Sequence, residues 1–292
     1  MALTLTNDFV FKVVFGQEAT TDILVDLVNA VLEDEDFPSV VSLVLNNPVN
    51  VRQTEWLKET NLDIKATDSS GRQFDVEMQV SSDPAFASRS LYYWARQYSD
   101  QLGSGEAYRR LRPVVCINIL ASRLFDELPE IHNCFMIKHI RRSDVVLTGD
   151  LSIHFVELDK PVQGKERFRR WMEYFRNEGG GDGDMQVLLR DDMILRKAHG
   201  LFEGCTQDPE LRERALAREK FLRDQLSRME AARLEGLKEG QEEGKREGIK
   251  EGIKEGKKQG VLETAARMKG IGIELTVIGQ ATGLSAAEIE AL

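Results

Sequence analysis

The chain carries Leu62-Asp63-Ile64-Lys65, then Asp68-Ser69-Ser70-Gly71, then Gln73-Phe74-Asp75-Val76-Glu77-Met78-Gln79-Val80. The middle segment holds residues that form Asx turns or tolerate positive φ, so the flanking runs read as a β-hairpin. In the second run Phe74, Val76, Met78 and Val80 alternate with Gln73, Asp75, Glu77 and Gln79. A side-chain period of two puts the polar set on one face. Asp63 and Glu77 then stand on adjacent strands as a candidate cation site. Taken alone, an Asp and a Glu on adjacent strands are more often a solvated sheet face than a metal site.

Working outward, residues 1–160 read as α/β. Thr21 is placed to cap a helix whose apolar positions Ile23, Leu24, Leu27, Val28, Val31 and Leu32 follow helical spacing, and Pro38 lies beyond its acidic end. A strand is expected over Val40 to Leu45, ahead of the hairpin. Asp83 as N-cap and Pro84 at the first helical position announce a helix to about Leu102, with Leu91, Trp94, Ala95, Tyr98 and Leu102 on one face and Arg89, Tyr93 and Arg96 nearer the other. Pro113 to Leu120, Phe135 to Ile140 and Leu151 to Leu158 supply three more strands.

Residues 161–234 turn helical and charged, interrupted by Gly179-Gly180-Gly181-Asp182-Gly183, with one long amphipathic helix over Asp208 to Arg233. In residues 235–260 glycine recurs every four positions from Gly236 to Gly260, with Glu before six of the seven. Four residues turn a helix by about 400°, so the glycines form a slowly precessing ridge. Each costs roughly 1 kcal/mol against Ala in a helix. Close approach of a partner backbone offsets that deficit, so the repeat reads as a self-association helix; a partly frayed linker is the plainer alternative. Residues 261–292 read as short helices, with Ser285 and Glu288 at capping-box spacing. No Lys or Arg occurs in 270–292, which argues against a DNA-reading helix there.

The 292 residues carry a net −10, of which −9 falls in residues 1–160 (15 Lys+Arg against 24 Asp+Glu). Long-range attraction to a polyanion is therefore weak, and nucleic-acid binding requires local cationic patches. Arg109, Arg110 and Arg112, and Lys138, Arg141 and Arg142, are the candidates. Cys116, Cys134 and Cys205 form no Cys-x-x-Cys pair and read as reduced thiols. His132, His139, His154 and His199 show no metal or triad spacing. With no basic-then-apolar leader and no apolar run near the roughly 18 residues of a membrane span, the chain reads as cytosolic.

The first 160 residues resemble the PD-(D/E)XK nuclease family transposases, also called recombination-promoting nucleases. The resemblance is carried by Asp8-Phe9-Val10-Phe11-Lys12 with Phe15-Gly16, by Leu27-Val28-Asn29-Ala30-Val31-Leu32, and by the Asp63 and Glu77-Met78-Gln79 strands. Arg89, Tyr92-Tyr93 and Tyr98, Gly105 with Tyr108, and Leu111-Arg112-Pro113 continue it, and the Glu-Gly tail is similar to that of the family. It implies a restriction-endonuclease-like mixed sheet flanked by helices, and a Mg²⁺-dependent DNA endonuclease associated with transposition or recombination, with Mn²⁺ as an alternative ion. It also implies Asp63 and Glu77 as metal carboxylates with the main-chain carbonyl of Met78 as third ligand. Gln79 stands where the general motif has Lys; it can orient a water but carries no charge. Lys65, on the face of Asp63, is the expected replacement cation, with Lys12 the second choice. Asp75 is either a second-metal ligand or a sheet-edge residue, and the edge is the preferred reading. Tyr92 and Tyr93 are candidates to contact DNA, with at least one of them expected in the core. A nuclease-fold protein that has lost catalysis and serves in assembly or nucleic-acid binding is the alternative function.

Overall fold

The computed structural model describes residues 3–47, 63–80, 83–177 and 183–292. Most of the glycine-rich break, residues 179–182, lies outside them. The chain divides into two units, Met1–Phe221 and Leu222–Leu292.

In the first unit, α1 (Asp8–Phe15) and α2 (Thr21–Asp34) precede β1 (Leu43–Leu45), β2 (Ile64–Asp68), β3 (Gln73–Gln79), α3 (Phe86–Ser99) and β4 (Val114–Leu120). Then come β5 (His132–Phe135), β6 (Lys138–His139), β7 (Arg142–Val146), β8 (Leu151–Glu157), α4 (Glu166–Asn177), α5 (Gly183–Asp191), α6 (Met193–Gln207) and the start of α7 (Pro209–Gly270). A six-stranded mixed sheet runs β1-β2-β3-β4-β8-β5, and β6 with β7 forms a separate two-stranded ribbon. The pairs β3–β4 and β4–β8 are parallel; β1–β2, β2–β3 and β5–β8 are antiparallel.

Helices cover both faces, which is why β4 and β8 are buried along their whole length. One face packs Phe74, Val76, Met78, Ile117 and Ile119 against α1, α2, α4 and α6. There the Phe15 ring lies 4.5 Å from Phe11 and 5.6 Å from Trp171. The second face is smaller: Phe86 of α3 joins Val114, Cys116, Leu120, Ile153 and Phe155, with Trp94 and Tyr98 packed alongside.

The hairpin follows its sequence. β3 alternates half-buried polar and buried apolar residues from Gln73 to Gln79. At the turn Asp68 Oδ1 accepts from the Ser70 and Arg72 amides, and Arg72 Nε donates to Asp68 Oδ2 at 2.7 Å. Burial opposes ionisation of Asp68, but these bonds outweigh it and hold the carboxyl below its ordinary value. Gly71 takes φ +87 and lies against the Arg112 side chain.

Several elements depart from expectation. The Val40 strand shortens to β1, because the Asn29 side chain takes both backbone groups of Val40 at 2.7 and 2.9 Å. α3 starts at Phe86, with Asp83 Oδ1 accepting from the Ala85 amide, and stops at Ser99. Leu91, expected on its inner face, is 51% exposed, since α3 packs through Phe86, Ser90 and Trp94. The strand expected over Phe135 to Ile140 is two elements: β5 pairs with β8, and β6 leaves the sheet to meet β7.

In the second unit α7 runs through the glycine repeat to Gly270, and α8 (Leu275–Thr282) and α9 (Ala286–Glu290) follow. Ala265, Ile278 and Ile289 are buried together. Gly283, at φ +76, ends α8, and Ser285 with Glu288 forms the expected capping box. Among the described residues no helix is long and apolar enough to cross a membrane.

Candidate functional site

The register Ile64↔Val76, Lys65↔Asp75, carried one residue further, sets Asp63 opposite Glu77. The period of two then aims Asp63, Lys65, Asp75, Glu77 and Gln79 at one face, beneath α3. A cavity of about 530 Å³ opens there, lined by Asp63, Lys65, Gln73 and Asp75 from the strands and by Tyr93, Arg96 and Gln97 among the residues of α3. The site faces α3 because the opposite face of β3 carries Phe74, Val76 and Met78 into the main core.

The electrostatics are strained toward negative charge. Burial pushes the Glu77 carboxyl up to about 7; Arg89 pulls against this, while Asp63 and Asp8 add to it. Burial likewise pushes Asp75 up to about 7, helped by Asp63 and Glu77 against Lys65. Burial pulls the Lys65 ammonium down, but Asp63, 3.2 Å away, and Asp75 outweigh it and hold it above its ordinary value. Asp75 Oδ1 and Gln97 Oε1 are buried with no hydrogen-bond partner. Buried polar atoms of that kind are uncommon and call for a partner such as a water, a ligand or an ion.

Asp75 is thus not a sheet-edge residue. β1 and β2 lie outside β3, and α3 covers it. Tyr92 is 60% exposed and Tyr93 lines the cavity, so neither tyrosine is core. Lys12 is buried within α1, whose aromatic residues pack on the far face of the sheet.

Sequence reasoning gave Arg89 no role at the site, yet the structure sets it on Gln79. Arg89 Nη2 donates to Gln79 Oε1 at 3.0 Å and to Glu77 Oε1 at 3.4 Å, and Nη1 reaches Asp83 Oδ2 at 3.2 Å. The guanidinium sits over the Phe86 ring, 4.6 Å from its centroid, and its Nε is buried without a partner. The available signal was helical spacing: Phe86, Arg89, Tyr93 and Gln97 lie three to four residues apart and so share a stripe of α3.

The histidines are also less scattered than their spacing suggests. His132 on β5 bonds Asp34 at 2.8 Å through Nδ1 and His154 at 3.0 Å through Nε2. Burial, with His132 beside it, pushes His154 down to about 3, so it is neutral. Asp34, Glu35 and His132 come within ligand distance of one another at the end of α2. His132 and Asp34 take their partners from within the chain: each bonds the other, His132 also meets His154, and Lys165 N donates to Asp34 Oδ1 at 2.7 Å. The arrangement ties α2 to the β5 edge.

No curated protein and no solved structure gives a match to the chain. The model of the PD-(D/E)XK nuclease family transposases matches residues 5–232, which span the whole sheet, α3 and the helices α4 to α6. With a mixed sheet flanked by helices and acidic residues converging on one strand pair, the chain belongs to the PD-(D/E)XK nuclease family transposases.

Proposed function

We propose that this chain is a divalent-metal-dependent DNA endonuclease acting in transposition or recombination. The observation that carries the reading is the crowding of Asp63, Asp75 and Glu77 on one half-buried face of β2 and β3, two of them pushed up to about 7. The donor set fits a hard cation: carboxylate oxygens only, with an unpartnered Asp75 Oδ1 beside them. Asp63, Glu77 and the Met78 main-chain carbonyl would hold Mg²⁺ or Mn²⁺. When bound, the ion supplies the Lewis acidity that activates water for in-line attack and stabilises charge on the scissile phosphate.

The chain's own side chains do the rest. Gln79, held by Arg89 at 3.0 Å, orients the attacking water by hydrogen bonding. Lys65 and Arg89 supply the positive charge that Gln79 lacks, from opposite sides of the carboxylate cluster. Exposed Arg109, and Arg110 beside its partner Glu106, would meet DNA phosphates. The free thiols agree with a cytosolic setting. The deciding experiment is nicking of supercoiled plasmid by the full chain with Mg²⁺, with and without EDTA. Nicking that EDTA abolishes is the expected result. Equal background in every lane from folded protein would favour the second reading, an inactive nuclease-fold binding protein, for which Gln79 in place of Lys is the motivating observation.

We also propose self-association through residues 235–260. A Cβ added at any of the seven repeat glycines meets nothing within 4 Å in the single chain. In an isolated helix each Gly→Ala change therefore adds roughly 1 kcal/mol of helix stability. Against a partner backbone the same methyl groups obstruct approach. The triple change Gly244→Ala, Gly248→Ala, Gly252→Ala is expected to raise helicity by circular dichroism and to lower the sedimenting mass. Higher helicity with unchanged mass would remove the glycine ridge as the contact.

A further inference from the structure

The ribbon β6–β7 has no burial to account for it: every residue of both strands is exposed. At its tip Ile140 is 97% exposed. Two-residue hairpin turns favour Asn, Asp and Gly, and Ile there contributes nothing to turn formation. Around Ile140 stand Lys138, His139, Arg141 and Arg142. The carboxylate of the ribbon is Asp144, which pairs with Arg142 at 3.3 Å where both are exposed, an arrangement worth little. Lys138, Arg141 and Arg142 less Asp144 leave +2 on this arm, in a half-chain whose net charge is −9 (15 − 24 over residues 1–160).

The root of the arm packs on the same face of the sheet as the candidate site. Phe135, the last residue of β5, packs its ring 5.1 Å from Phe125 and 5.7 Å from Phe155. Through the registers Asp75↔Cys116, Cys116↔Ile153 and Phe135↔Ile153, one row crosses the sheet from the acidic pocket to Phe135. Three strand spacings amount to about 14 Å, well under the roughly 34 Å of one duplex turn. Ile140 lies five residues beyond Phe135, at most about 18 Å further, so a single bound duplex can meet both. A net positive tip on an otherwise acidic half-chain complements the phosphate backbone of DNA.

We propose that the β6–β7 arm is a DNA-bending wedge, with Lys138, Arg141 and Arg142 on flanking phosphates and Ile140 entering between base steps in the minor groove. Apolar wedges of this kind unstack a step and kink the duplex. The proposal rests on the DNA reading above but not on cleavage.

The test uses full-length protein in EDTA with a 30-bp duplex carrying a donor and an acceptor dye at its ends. Wild type is expected to bind and raise energy transfer. Ile140→Ser is expected to lose the transfer change while weakening binding less than tenfold. The double change Arg141→Ala, Arg142→Ala is expected to reduce the slope of log affinity against log salt by about 2. Bending unchanged in both variants, or absent in wild type that binds, would overturn the wedge. So would an Ile140→Ser protein that bends normally and changes only its mass by light scattering, which would assign the tip to a protein contact. Bending without nicking in Mg²⁺ would sink the endonuclease and leave the arm standing; no binding by wild type in EDTA would sink the wedge and leave the endonuclease to the plasmid assay.

Discussion

Asp63→Ala and Glu77→Ala are each expected to lower plasmid nicking by more than about 100-fold, since losing even an outer partner of a metal ligand costs 10–100-fold. Glu77→Gln gives the sharper result, because its effects on activity and stability oppose one another. The Glu77 and Asp75 carboxyls rise from ordinary values of 4.5 and 3.8 to about 7 in the folded chain. Between those limits the folded state keeps protons that the unfolded chain has released. Stability in EDTA therefore falls as pH rises from about 4 to about 7, and levels off above. At pH 8 Glu77→Gln removes a buried charge and should stabilise the metal-free protein by on the order of 2 kcal/mol. The same change removes a proposed ligand and should abolish nicking. Mg²⁺ should raise the melting temperature of wild type at pH 8, much less at pH 5.5, and not that of Glu77→Gln, because the ion must displace protons to bind. A Glu77→Gln protein that is less stable than wild type in EDTA at pH 8 would show that the crowding of carboxyls is not destabilising. Retained nicking would remove Glu77 from the catalytic set.

The acidic hairpin was legible because a strand's period of two is set locally: Gln73, Asp75, Glu77 and Gln79 share a face whatever surrounds them. What covered that face was not local. Arg89 was read as lying nearer the outer face of its helix, because Leu91 and Ala95 looked like the buried positions. α3 instead rotates to bury Phe86 and Ser90, which swings Arg89 over Gln79 and exposes Leu91. Asp75 was misread for the same reason, since the edge position belongs to β1, whose three residues are too short a signal to order a sheet. The β6–β7 ribbon left no alternation to detect, because both of its faces meet solvent. His132 and His154, 22 residues apart, meet only because β5 and β8 pair antiparallel.

Arg218→Ala is expected to destabilise the first unit by about 3–5 kcal/mol, the usual cost of removing one partner of a buried ion pair. In a unit of this size that lowers the melting temperature by roughly 10 °C. Arg218 is 3% exposed and places Nε and Nη2 at 3.0 and 2.8 Å from Asp8 Oδ2, across 210 positions of sequence. One turn away Asn7 donates to the Ala215 carbonyl at 3.2 Å while its Oδ1 caps α1. The start of α7 is thereby clamped on the first turn of α1, whose Asp8 also presses on Glu77. Removing the guanidinium leaves Asp8 buried without its compensating charge, so the loss should far exceed that of an exposed pair such as Arg142–Asp144. The double change Asp8→Asn, Arg218→Met separates charge from packing: it should recover more than half of the lost stability, because no ion is then stranded. If the double variant is as unstable as Arg218→Ala, the clamp acts instead through the guanidinium's contact with the Phe221 ring, 5.7 Å from its centroid. A melting temperature within 2–3 °C of wild type for Arg218→Ala, roughly 1 kcal/mol, would show that the pair is solvated and does not anchor α7 on α1.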